Sequence, residues 1–278
     1  MRRIKIVSDS SSDILKLDHV DFASAFMKII TAEREFVDDE NLDVDAMVDF
    51  FSKYKKRSQT SCPAPADWLD AFGDADDIIC VTITSALSGS YNSACTAKKM
   101  YEEENEDKRV YVLDTLSAGP EITLIIKKLS ELVEAQEDFE TICEHAEAYV
   151  KKTGLLFMLK SLNNFVANGR VAPIVAKLVG VAGICLVGKA SHEGTLEPTH
   201  KCRGERRSLE TIVDDLEKYG LQSGKVSIGH CQNEKAAEQL RSMIQERFDK
   251  VRVDIHKLRG LCSFYAEKGG LLVGYEKA

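Results

Sequence analysis

The run Ile78-Ile79-Cys80-Val81-Thr82-Ile83-Thr84-Ser85-Ala86-Leu87-Ser88-Gly89-Ser90-Tyr91 decides the fold. Its first six residues are apolar or β-branched without alternation, as in a strand whose sheet is covered on both faces. A loop of small and hydroxylated residues follows, and a helical pattern then continues through Met100. A buried strand, a short loop and a helix make half of a βαβ unit, and the same grammar recurs outward from it. Before it lie a strand at Ile4–Val7, a candidate second strand over Ala23–Ile30 and a helix over Val44–Tyr54. In that helix Val44, Met47, Val48 and Phe51 share one face. Pro63 opens a further helix through Trp68 and Phe72, since proline suits the first helical position. After the central run come a strand at Val110–Leu113 and helices over Ile122–Val133 and Phe139–Val150. These alternations predict an α/β protein with a parallel sheet.

The grammar shifts at Thr153-Gly154. Leu155–Leu159 reads as a strand, Val166–Leu178 carries a basic turn, and Ile184–Val187 with Thr195–Lys201 reads as a β-pair. A helix (Ser208–Tyr219), a strand (Val226–His230), a helix (Lys235–Phe248), a strand (Val251–His256) and a last strand near Leu271–Tyr275 complete the chain. Two domains are expected: 1–153, with a Rossmann-like parallel sheet, and 154–278, an α/β domain with a mixed sheet.

The 278 residues are 44% hydrophobic, enough for a globular core, and the net charge of −8 disfavours nucleic acid, whose phosphates need clustered Lys and Arg. The segment Met1–Asp9 is too short and too polar for a signal-peptide core or a membrane span. Eight scattered cysteines without a C-x-x-C pair read as reduced thiols, which places the protein in the cytoplasm and suggests no zinc site. The six histidines show no metal spacing.

Three loops in the first half are loaded with hydroxyls: Ser8–Asp13, Thr60-Ser61-Cys62-Pro63, and Thr84–Tyr91. Loops at the carboxyl ends of strands gather ligands in open α/β sheets, and a helix N-terminus favours an anion. Serine and threonine also serve as plain helix caps there. A P-loop, a G-x-G-x-x-G after the first strand and a G-x-S-x-G elbow are all missing, which argues against nucleotides, dinucleotides and hydrolase chemistry. A hydrolase or phosphotransferase using Asp9 or Ser88 as nucleophile is the alternative reading, without an evident base or metal. Lys201–Arg207 is the most prominent basic cluster of an acidic chain, and reads either as a solvated loop or as a docking patch for a negatively charged partner.

Taken together, these segments resemble the DegV family, which includes the fatty-acid-binding subunits of bacterial fatty acid kinase. Ser8–Asp13 resembles its opening D-S-[ST]-S-D, Thr60–Pro63 its T-S-Q-P, and Leu87–Ala94 its L-S-G-T-Y-x-S-A. Leu113-Asp114-Thr115 stands where V-I-D-S is usual, Leu162–Arg170 approximates L-x-x-L-x-x-G-G-R, and Lys201–Gly204 fits K-x-R-G. The resemblance implies a long-chain fatty acid buried in a tunnel and presented to a kinase catalytic subunit, with no catalysis and no cofactor in this chain. It also leaves room for transient membrane contact, and for a lipid-sensing regulator without a kinase partner. The implied ligand-binding residues are Thr60, Ser61, Ser88, Gly89, Ser90, Arg170 and Glu267, with Arg203 on the partner surface. The family's closing H-T-G-x-G is replaced by Tyr265–Gly270, which puts Glu267 at the histidine's place; His256 matches only with an insertion after it. A glutamate near a carboxylate must be protonated, neutralised by Arg170 or Lys268, or turned to solvent.

Overall fold

The computed structural model describes residues 2–54, 56–172 and 183–278. The elements in chain order are β1 (Ile4–Asp9), β2 (Asp21–Ala25), β3 (Lys28–Thr31), β4 (Glu35–Val37), α1 (Val44–Lys53), β5 (Ser58–Ser61) and α2 (Pro65–Phe72). Next come β6 (Asp77–Thr82), α3 (Ser90–Glu104), β7 (Arg109–Asp114), α4 (Pro120–Glu134), α5 (Phe139–Lys151), β8 (Thr153–Leu159) and α6 (Asn163–Ala167). The rest are β9 (Ile184–Ala190), β10 (Leu196–Arg203), α7 (Glu205–Lys218), β11 (Gly224–His230), α8 (Glu234–Arg247), β12 (Val251–Lys257), α9 (Gly260–Ala266) and β13 (Leu271–Glu276).

The N-terminal half builds a parallel sheet in the order β2-β1-β6-β7. The C-terminal half builds a mixed sheet, β10-β9-β8-β13-β11-β12, in which only β11 and β12 pair in parallel. Both sheets match the expected α/β class. A third sheet, β4-β3-β5, was not expected; it is small and antiparallel. The stretch Ala23–Ile30 accordingly divides between two sheets. The break falls at Phe26-Met27, where the Ser10 hydroxyl accepts from the Met27 amide at 3.1 Å. Helix α2 starts at Pro65 rather than Pro63, because Asp67 reaches back to accept from the Ala64 amide at 2.7 Å. Helix α7 starts three residues before Ser208, which brings Arg206 and Arg207 into its first turn. Of the segment Val166–Leu178, residues 173–178 lie outside the described residues.

Helix α4 is covered by both large sheets: every residue of its first half, Pro120–Ile126, is buried, even Glu121, and only beyond it does a polar stripe of Lys127, Glu131 and Glu134 face outward. The Glu121 carboxylate is satisfied by Ser117 Oγ at 2.5 Å and Thr153 Oγ1 at 2.7 Å, yet burial still pushes its pKa up. One apolar cluster mixes the halves, joining Ile29, Phe36 and Met47 to Phe157, Leu159 and Phe264. The short helix α9 is held at its N-terminus by Asp38, which accepts from the Gly260 and Leu261 amides at 2.8 Å each. Asp13 accepts from the Arg259 amide just before it at 2.7 Å.

The N-terminus of α4 rests on β13 at Gly274, where a Cβ would lie 2.5 Å from the Glu121 nitrogen and the Pro120 carbonyl carbon. Gly274→Ala is therefore expected to lower the unfolding free energy by about 1–3 kcal/mol, the usual cost of overpacking, as read by urea titration.

Candidate functional site

A cavity of about 300 Å³ opens between the face of the C-terminal sheet and the loops that end the N-terminal strands. Its walls are apolar: Leu155, Phe157 and Leu159 of β8, Leu272 of β13, and Leu261 and Ala266 of α9. One end is polar, and three separate elements build it. β5 brings Thr60 and Ser61, the loop before α3 brings Ser88 and Gly89, and the turn after α6 brings Arg170.

Thr60 is fixed twice. Its amide donates to Asn168 Oδ1 at 3.2 Å, and its hydroxyl shares a 2.7 Å hydrogen bond with the Tyr265 hydroxyl. Tyr265 is reached from α9, and its ring packs on Phe165 with centroids 4.7 Å apart. Burial pushes the Tyr265 phenol up, opposed by the Thr60 hydrogen bond and by Arg170. The guanidinium of Arg170 donates from Nε to the Leu87 carbonyl at 3.2 Å and from Nη1 to the Asn168 carbonyl at 2.5 Å. No carboxylate pairs with it among the described residues. Burial likewise raises the Cys62 thiol; Asp9 pushes the same way and Arg170 opposes. One uncompensated positive charge thus acts on two groups of the same pocket end, together with a cluster of hydroxyls. That arrangement can orient an anion whose apolar remainder occupies the rest of the cavity.

The other expected site residues fall as follows. Ser61 Oγ donates to the Cys62 carbonyl at 3.2 Å, and Ser88 Oγ accepts from the Ser90 amide at 3.2 Å. Gly89 lies so near Cys62 that a Cβ would come within 3.2 Å of its sulfur. Ser90 is not among the residues that line the cavity; it is buried, and its hydroxyl donates to Asp9 Oδ2 at 2.6 Å. Asp9 itself is sealed, with no exposed surface, accepting also from the Ile83 amide at 2.9 Å and from the amide and hydroxyl of Ser11. Burial raises its pKa against these bonds.

Glu267 is half-buried, and the described lining of the cavity does not include it. Its Oε1 accepts from the Asn164 amide at 3.1 Å, at the start of α6, while Lys268 points to Asp49 at 3.6 Å. The glutamate is thus a cap for α6, and neither cation named for it provides its partner. His256 stands 3.8 Å from Asp13, and it too is absent from that lining. Arg203 ends β10, exposed, and carries no ion pair among the described residues, whereas Arg206 and Arg207 both pair with Glu210 at 3.3 Å. Tyr265, Asn168 and Cys62 were not singled out as site residues. The phenol stood inside the quoted stretch Tyr265–Gly270, but its pairing with Thr60 spans 205 residues.

Among the described residues no group of side chains could hold a metal ion, and no helix is long and apolar enough to cross a membrane. The solved structure of a DegV family protein from Eubacterium eligens, loaded with heptadecanoic acid, is 41% identical, with a TM-score of 0.97 over 99% of this chain and 100% of that one. The Fatty Acid Kinase (Fak) B3 protein of Streptococcus pneumoniae, loaded with linoleic acid, matches with the same identity, TM-score and coverage of both chains. A DegV domain-containing protein of Streptococcus pneumoniae is 42% identical over 276 residues, 98% of each chain. The DegV family profile matches residues 3–278, and the chain belongs to that family.

Proposed function

We propose that this protein binds one long-chain fatty acid in the cavity and presents its carboxylate to a partner kinase, without catalysing a reaction itself. The observation that carries this reading is the placement of Arg170, unpaired, beside the hydroxyls of Thr60, Ser88 and Tyr265 at one end of an otherwise apolar cavity. The relatives loaded with heptadecanoic and linoleic acid support the ligand class. The energetics are sufficient: burying about fifteen CH₂ groups at ~0.8 kcal/mol each gives a gross term near ~12 kcal/mol before ordering costs. The head group then supplies orientation more than affinity. Asp9 is a poor nucleophile here, because both its oxygens are engaged and no surface of it is open. Residues 1–153 would supply most of the head-group loops and residues 154–278 the sheet that covers the chain. Arg203, free and exposed, is the docking contact for the acidic face of a fatty acid kinase catalytic subunit.

Protein purified from a bacterial host is expected to carry close to one fatty acid per chain, read by mass spectrometry after denaturing extraction. Preparations that hold no lipid and take up no added palmitate or oleate would reject the reading. Thr60→Ala, Ser88→Ala and Arg170→Met should each weaken binding by roughly ten- to hundredfold, the loss of a hydrogen bond to a charged group. Glu267→Gln should change affinity by less than about tenfold between roughly pH 6 and 8, since it keeps an acceptor for Asn164 and lies off the cavity. Equilibrium titration of all four variants separates the two outcomes; a gain of several hundredfold on neutralising Glu267 would mean that the pocket repels carboxylates. Arg203→Ala should keep its lipid and lose turnover in a reconstituted kinase assay, most strongly at low salt.

A further inference from the structure

The floor of the cavity contains a pairing that the head-group chemistry does not explain. β8 presents Leu159, Phe157 and Leu155 to the cavity in succession, each about 7 Å beyond the last along the strand. Leu159 lies at the polar end, because the chain leaves β8 there for α6 and Arg170. An acyl chain anchored at Arg170 therefore has to pass Phe157 to reach Leu155 and Ala190.

Phe157 stands directly opposite Gly188 of β9, so the two share the cavity face of the sheet. Its ring does not stand upright from that face. A Cβ on Gly188 would lie 2.4 Å from Phe157 Cζ and 2.8 Å from Cε2, so the outer edge of the ring rests on the glycine. Gly188 is not among the glycines of positive φ, so backbone freedom is not what the position requires. It does have a second close neighbour, the Glu197 carbonyl at 2.5 Å from the same Cβ, beside the bulge between Pro198 and His200. The missing side chain is thus what lets a large aromatic ring lie flat in the middle of the floor. Any substituent there would lift the ring into the path of the ligand.

We propose that Phe157, laid over Gly188, sets the length of acyl chain that the cavity accepts. This rests on the fatty-acid reading above and deepens it to a specificity determinant. The flat ring admits long chains that run on to Leu155 and Ala190, and a raised ring excludes the methylenes beyond it. Each methylene denied its burial weakens binding by about fourfold.

The test is the affinity of the full chain, stripped of lipid, for decanoic, dodecanoic, hexadecanoic, octadecanoic and icosanoic acids. Gly188→Ala should weaken the hexadecanoic and octadecanoic complexes by more than about tenfold while affecting decanoic acid far less. Phe157→Leu added to Gly188→Ala should restore the longer chains. Phe157→Ala alone leaves the β9–β10 bulge untouched and should shift the optimum towards icosanoic acid. That single variant decides the matter if Gly188→Ala does not fold. An unchanged ratio of icosanoic to hexadecanoic affinity in Phe157→Ala overturns the inference, as does equal weakening of every chain length by a folded Gly188→Ala. A wild-type protein that takes up none of the five acids would instead overturn the fatty-acid reading on which this one stands.

Discussion

The architecture of the polar end depends on a carboxylate that no ligand is needed to satisfy. Asp9 ends β1 in complete burial, and its two oxygens draw in donors from Ser11, Ile83 and Ser90. Taking a carboxyl group out of water is costly unless its hydrogen bonds are replaced. The replacement here comes from three different segments, so the penalty of leaving any of them unformed is shared. Ser90 opens α3, and with it held to Asp9, Ser88 and Gly89 are set at the cavity mouth. The serine-rich opening of the chain is thus scaffolding for the loop that follows β6.

A second layer of fixing comes from the other side. Asp38 and Asp13 grip the amides before and at the start of α9, and α9 in turn delivers Tyr265 to Thr60. Burial raises the Asp38 pKa to about 6, with two hydrogen bonds opposing and Asp13 adding to the rise. A seven-residue helix has little stability of its own, so tertiary contacts of this kind decide where its side chains point.

The strands that were easiest to read are those in which burial on both faces removes alternation. Ile78–Ile83 is of this kind, and with Ile4–Val7 it forms the centre of the parallel sheet. The small sheet escaped notice for the opposite reason. Ser58-Gln59-Thr60-Ser61 is polar and four residues long, so neither hydrophobicity nor period marks it, and only its pairing with Lys28–Thr31 makes it a strand. The bend that divides Ala23–Ile30 is equally silent, since it is imposed by a hydroxyl seventeen residues away. Of the three hydroxyl loops, Thr60–Pro63 and Thr84–Tyr91 bring residues to the cavity, while Ser8–Asp13 closes around Asp9 instead. The role of Glu267 was not legible, because sequence alignment by motif gives a residue's place along the chain and not the amide of Asn164 that it faces.

The walls of the cavity include members of the same apolar cluster that ties the two halves together, among them Phe157, Leu159 and Cys262. A ligand seated there is, physically, a detachable piece of the protein interior. Interiors of this kind are packed to crystalline density, and a void of this size forfeits contacts on every side. An apolar ligand that filled it would draw on the same free energy as folding, and would stiffen the joint between the sheets as a large core side chain does. Release into water would expose both the chain and the surfaces it had covered. Departure of such a ligand would thus be cheapest into another apolar phase rather than into water.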